Sequence, residues 1–148
     1  MSVSIQEEDF DVASVLDEFK QGDGDSGAVV SFTGLVRTSG EAATIEAMTL
    51  EQYPGMTEKS LAAIEQQARS RWELNEVRII HRIGRLAAGE NIVLVATASA
   101  HRQAAFEAAQ YIMDHLKTEA PFWKKEHTSR GDHWVEGRQS DHDAKSRW

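Results

Sequence analysis

Asn91-Ile-Val-Leu-Val-Ala-Thr-Ala-Ser99 runs directly into Ala100-His-Arg-Gln-Ala-Ala-Phe-Glu-Ala-Ala-Gln-Tyr-Ile-Met-Asp-His-Leu-Lys117. The first of these stretches is apolar and β-branched, the composition of a strand. The period then changes. Ala105, Ala109, Ile112, Met113 and Leu116 recur at helical spacing, which predicts a long helix over residues 100–117 with Ser99 as its N-cap. Pro121 blocks its continuation, and residues 122–127 and 133–135 read as two strands that pair.

Upstream, a short strand is expected at residues 3–5, and a helix at 11–20 with Val12, Val15, Leu16 and Phe19 on one face. The turn of residues 22–27 leads to a strand at 28–36, a polar loop at 37–41 and a second strand at 43–50. That pair is expected to form a hairpin with a mobile tip. Tyr53-Pro54-Gly55 is a turn before a helix over 56–72, with Leu61, Ile64 and Ala68 as its buried stripe. Strands follow at 77–82 and 91–99, separated by a connection at 84–89, and a terminal helix is expected at 141–148. The succession gives an α+β fold: a single domain over 1–148, with antiparallel or mixed sheets and packed helices.

The chain has 148 residues, 41% of them hydrophobic, a formal net charge of -8 and Cys 0. That length suffices for one core without metal or disulfide staples. Without cysteine there is no disulfide, no thiolate-bound metal and no cysteine nucleophile. No apolar run is long enough for a spanning helix, and the N-terminus lacks a signal-peptide pattern, so the expected location is cytoplasmic, away from any membrane. Acidic residues concentrate in the first 26 positions, where Lys20 is the only base. The rest of the chain is close to neutral, so nothing favours nucleic acid, and local basic clusters are candidates for one small anion.

Four basic places stand out. Arg37 ends a strand, His101 and Arg102 open the long helix, Lys117 closes it, and Lys124-Lys125 follow Pro-Phe-Trp. A solvated strand-end arginine and a lysine complementing a helix C-terminus are common for structural reasons alone. Neighbouring lysines on a strand point to opposite faces, so only one of Lys124 and Lys125 can face a given pocket. The first turn of a helix supplies free N–H groups, and an imidazole and a guanidinium there suit a phosphate. No P-loop, dinucleotide fingerprint, His-Glu-x-x-His or Gly-x-Ser-x-Gly occurs, and no metal site or cofactor is expected.

Several stretches then carry a resemblance. Gly27-Ala-Val-Val-Ser-Phe-Thr-Gly34 with Val36-Arg37, Leu50-Glu-Gln-Tyr-Pro-Gly-Met56, Ile80-His-Arg-Ile-Gly84, Ser99-Ala-His-Arg102 and Met113-Asp-His-Leu-Lys-Thr-Glu-Ala-Pro-Phe-Trp-Lys-Lys-Glu126 occur in this order. With Trp134-Val-Glu136 and the final Arg147-Trp148, they resemble the MoaE family, the large catalytic subunits of molybdopterin synthase.

The resemblance implies a MoaE-like α/β hammerhead and a sulfurtransferase. Its substrate would be a cyclic pyranopterin monophosphate, converted to molybdopterin in molybdenum cofactor biosynthesis. Sulfur would arrive as the C-terminal Gly-Gly thiocarboxylate of a small ubiquitin-like carrier subunit. The assembly would be a homodimer of this chain within a heterotetramer. The family's substrate and catalytic positions fall on Arg37, His101, Arg102, Lys117 and Lys124, with Lys125 and Glu126 beside the last. Phe32 and Met113 would shape the pocket, and Arg138 would add an anion contact. Leu35 stands where relatives can carry lysine, and Gln52 where they commonly carry histidine.

Helix geometry adds a constraint. Arg102 and Lys117 are roughly 22 Å apart along one helix at 1.5 Å per residue, farther than a pterin monophosphate reaches. His101 and Arg102 of one subunit are therefore expected to face Lys117 and Lys124 of its dimer mate. The rival from another class is a non-catalytic module that binds a ubiquitin-like tail and ignores the pterin.

Overall fold

The computed structural model describes residues 2–22, 24–40, 43–135 and 139–148. Among the described residues twelve elements succeed one another: β1 (Val3–Gln6), α1 (Val12–Lys20), β2 (Ala28–Leu35), β3 (Ile45–Gln52), α2 (Met56–Arg71), β4 (Glu76–Arg82), β5 (Gly84–Ala87), β6 (Asn91–Ser99), α3 (Arg102–Glu119), β7 (Phe122–Thr128), β8 (Gly131–Val135) and α4 (Gln139–Ser146). They form two four-stranded sheets, ordered β1-β4-β6-β2 and β5-β3-β7-β8.

Apolar periodicity explains the packing of the first sheet. Val77, Ile79, Val93 and Val95 alternate onto the face covered by α2 and α3, where Leu61, Ile64, Ala68, Ala109 and Ile112 complete the main core. Leu94, Ala96 and Ala98 alternate onto the other face, under Val15 and Phe19 of α1. The side chain of Asp11 caps α1 by accepting from the Ala13 amide at 3.1 Å. A third cluster, Val36, Ile45, Leu50 and Leu86, underlies the second sheet.

Three expectations fail locally. β2 and β3 are not a hairpin. β2 pairs antiparallel with β6, from Ala28↔Ser99 to Leu35↔Asn91, while β3 lies between β5 and β7 in the other sheet. Buried Val36 explains the departure. Its amide donates to the Glu90 carbonyl at 2.9 Å and its carbonyl accepts from the Gly89 amide at 2.8 Å, so the chain is held beyond β2 and crosses between sheets. A single bridge, Ser39↔Thr44, is what remains of hairpin pairing in this connection.

The second miss is β5, read as a plain connection because Gly84 and Gly89 bracket it. It pairs with β3 from Ala47↔Ala87 to Leu50↔Gly84, and the positive φ of 88° at Gly84 turns the chain into it. The third concerns α3, which starts at Arg102 with His101 as N-cap. Ser99 is still strand, and its hydroxyl donates to the Glu73 carbonyl at 2.9 Å instead of capping.

Candidate functional site

A cavity of about 630 Å³ opens where the end of β2, the last turn of α3, strands β3 and β7, and the start of α4 converge. Five residues nominated from sequence line it: Phe32, Arg37, Lys117, Lys124 and Glu126. They come from two distant stretches of the chain, 32–37 and 117–126, and a different local cause aims each. Phe32 and Gly34 share the face of β2 that turns toward α3. Arg37 follows the anchored Val36 and leaves the sheet exposed. Lys117 sits in the last turn of α3, where it also complements the helix dipole.

β7 decides the rest. Lys124 pairs with Leu50 and Glu126 with Met48, so both project to the cavity side of the sheet. Lys125 projects to the other side, where its ammonium lies 5.5 Å from the Trp134 ring centroid. The sequence rule that only one of the two lysines faces a pocket holds, and that lysine is Lys124. Glu126 is oriented by its cross-strand neighbour, with Oε1 3.1 Å from His133 Nε2.

The structure does not bring the other nominees to this cavity. Met113 is buried in the main core cluster, because its helical phase points it at the first sheet. His101 and Arg102 are exposed at the opposite end of α3, and neither lines the cavity. Arg138 lies outside the described residues.

Other residues at the cavity were not nominated. Asp141 and His142 of α4 line it, as do Thr118 and Phe122. Helix α4 is pinned to α3 by Lys145–Glu119 at 3.0 Å and Arg147–Asp114 at 3.1 Å. The Trp148 indole also donates to Asp114 Oδ2 at 2.7 Å. Only tertiary packing could have placed the polar stretch Asp141-His142-Asp143 here.

Behind the lining, His81 of β4 stacks on Phe122 and places Nδ1 2.8 Å from the Arg82 carbonyl. Burial pushes its pKa down to about 3, against the pull of that carbonyl, and the positive charges of Lys124 and Lys117 push the same way. His81 is therefore neutral at pH 7. Arg37, Lys117 and Lys124 line the cavity together with Glu126 and Asp141, a mixture suited to an anionic substrate with polar edges. Exposed apolar surface flanks it, with Phe32 at 42% and Leu35 at 52%. No group of three or more histidine or carboxylate side chains suited to a metal occurs among the described residues. No helix among them is long and apolar enough to cross a membrane.

Comparison with known proteins gives concordant matches. The family model described as MoaE protein matches residues 5–119. The molybdopterin synthase catalytic subunit of Escherichia coli (strain K12) is 58% identical over 124 residues, covering 84% of this chain and 83% of its own. Its namesake from Vibrio cholerae serotype O1 is 52% identical over 146 residues, covering 99% and 97%. Among solved structures, the molybdopterin biosynthesis MoaE protein from Burkholderia ambifaria MC40-6 superposes with a TM-score of 0.85 at 44% identity, covering 99% of this chain and 97% of that one.

Proposed function

The chain belongs to the MoaE family, and from that premise we propose that it is the catalytic subunit of a molybdopterin synthase. It transfers sulfur from the C-terminal thiocarboxylate of a small ubiquitin-like carrier to a cyclic pyranopterin monophosphate, forming the dithiolene. The observation that supports this most directly is the convergence of Arg37 with Lys117 and Lys124, eighty or more positions further along the chain, on one cavity.

The chemistry asks for an anion receptor beside a proton-transfer group. Arg37 orients the pterin, and His101 and Arg102 of a second subunit hold the phosphate. Charge-assisted hydrogen bonds of this kind contribute roughly 1.5–3 kcal/mol each, enough to fix a pose. The thiocarboxylate sulfur attacks a side-chain carbon of the pterin and displaces its oxygen substituent, leaving an acyl-sulfur link between carrier and substrate. Lys117 passes the proton to the leaving oxygen. Water then adds to the acyl carbon, Lys117 and Lys124 stabilise the oxyanion, and C–S cleavage leaves sulfur on the product and a carboxylate on the carrier. Glu126 and Lys125 play supporting parts, Glu126 at the cavity and Lys125 on the reverse face of β7.

The deciding experiment incubates the protein with thiocarboxylated carrier and precursor and assays the dithiolene product. Formation of that product at a rate requiring this chain supports the reading. Binding of carrier without any uptake of the pterin would make the protein an adaptor instead.

A further inference from the structure

Arg37, Lys117 and Lys124 can only donate hydrogen bonds, because a guanidinium and two ammonium groups carry no acceptor. They suit a phosphate, a thiocarboxylate or a developing oxyanion, but they leave one edge of a pterin without a partner. That edge belongs to the pyrimidine ring, where the exocyclic amino group and the neighbouring ring N–H present two donors side by side. Two parallel donors in one plane are matched by the two oxygens of a carboxylate, the fork geometry in which a guanidinium is held.

Two carboxylates line the cavity among the described residues, Glu126 and Asp141. Glu126 has one oxygen engaged, with Oε1 3.1 Å from His133 Nε2. Asp141 makes no hydrogen bond or ion pair with any described residue, so both of its oxygens are open. Thr118 and His142 also line the cavity. The Thr118 hydroxyl already donates to the Asp114 carbonyl at 3.2 Å, and each of these two side chains offers a single acceptor atom at most.

The fold fixes where Asp141 stands. It lies in the first turn of α4, four residues before Lys145, so the two share a flank of that helix. Lys145 pairs at 3.0 Å with Glu119, two residues beyond Lys117, which lays the flank against the last turn of α3. Phe32, Met48, Ile92 and Phe122 supply apolar surface to the same cavity, the lining that a flat heteroaromatic ring requires. An aspartate in a first turn also complements the helix dipole, a role that leaves both oxygens available to a ligand.

We propose that Asp141 selects the pyrimidine ring of the substrate, accepting its amino hydrogen on one carboxylate oxygen and its ring N–H on the other. The inference rests on the molybdopterin synthase reading above and assigns the specificity of that same cavity. Ligands with a 2-amino-4-oxo pyrimidine are taken, and their 2,4-dioxo counterparts are refused. In the dioxo ring a carbonyl oxygen replaces the amino donor. One carboxylate oxygen then meets an acceptor and loses its partner, the mismatch that a hydrogen-bonding site rejects most strongly.

Calorimetric titration of the full-length protein with pterin-6-carboxylate and with lumazine-6-carboxylate, its dioxo counterpart, reads this discrimination directly. The unmodified protein should bind the pterin at least about tenfold more tightly. Asp141→Asn keeps the size of the side chain but offers one acceptor and one donor, which fits the dioxo edge. Its preference for the pterin should fall below about threefold or reverse. A mere loosening of α4 would weaken both ligands alike and leave the ratio where it was. In the dithiolene assay Asp141→Asn should raise KM for the precursor at least about tenfold with kcat within about threefold. Equal binding of the two ligands by the unmodified protein, or an Asp141→Asn protein with the parent's preference and KM, would overturn the inference while dithiolene formation by the parent keeps the function. A parent that forms no dithiolene with thiocarboxylated carrier and precursor removes the function, and the inference with it.

Discussion

The imidazole of His81 lies flat on the ring of Phe122, with centroids 3.7 Å apart and planes 15° from parallel. One ring belongs to β4 in the first sheet and the other to β7 in the second. The contact therefore ties the two sheets together directly behind the wall that carries Lys124.

A proton-linked stability effect follows. The folded chain holds His81 near pKa 3, chiefly through burial, whereas the unfolded chain has the ordinary value of 6.5. Below pH 6.5 the unfolded state takes up a proton that the folded state refuses, so stability falls as pH drops from 6.5 toward 3. Above 6.5 the group adds no pH dependence. Each unit within the window costs up to about 1.4 kcal/mol. His81→Phe keeps the stack and removes the titration. Urea unfolding should show the stability difference between pH 7 and pH 5 shrinking by about 2 kcal/mol. An unchanged difference would assign the acid sensitivity to other groups.

Lys117 is the group on which turnover depends most. Lys117→Ala should lower dithiolene formation at least about 100-fold while carrier affinity stays within about threefold. Single-turnover assays and calorimetric titration with the carrier measure the two quantities separately. Loss of carrier binding in parallel with turnover would move Lys117 from the reacting centre to the docking surface.

If cavities are completed across two subunits, inactive variants should complement. Randomly mixed Arg102→Ala and Lys117→Ala chains give hybrid dimers in about half of the population, each with one intact site. At pterin concentrations well below the KM of Arg102→Ala, where neither variant turns over alone, activity should therefore recover to about a quarter of the unmodified level. Arg102→Ala alone should act mainly through KM for the pterin, since the guanidinium holds the phosphate.

Asp114 anchors the C-terminal helix by accepting from both Arg147 and the Trp148 indole. Asp114→Ala should weaken the docking of α4 by about 1–3 kcal/mol. Amide exchange over residues 139–148 should speed up while exchange in β6 stays slow. Because α4 brings Asp141 and His142 to the cavity, KM for the pterin should rise as well. Exchange rates unchanged from the parent would show that Trp148 packing and the Lys145–Glu119 pair hold the helix without Asp114.

Long periodic segments were legible in the sequence. α2 and α3 bury the stripes their spacing marked, including Leu61, Ile64, Ala68, Ile112 and Leu116. The pairing of β7 with β8 was legible too, because the strands are adjacent and joined by a short turn. The partnership of β2 was hidden, since β6 stands more than fifty positions away and local patterning carries no record of so distant a neighbour. β5 was hidden because two turn-forming glycines masked a four-residue strand.

The candidate site divides along the same line. Lysines and arginine whose chemistry suits an anion could be nominated by type, and strand alternation showed that only one of Lys124 and Lys125 could face a pocket, the resemblance supplying which. Met113 was placed at the pocket by resemblance, whereas its helical phase delivers it to the core. Asp141, His142 and His81 owe their positions to how elements dock, which no short window of sequence contains.

α3 places its first-turn arginine and its last-turn lysine on nearly the same flank, fifteen residues apart. The helix thus works as a spacer of fixed length and phase. Conservative exchanges along its solvent side leave that spacing intact. One inserted residue would advance the far end by 1.5 Å and rotate it by about 100°, turning the Lys117 ammonium away from the cavity although no residue of the site had changed.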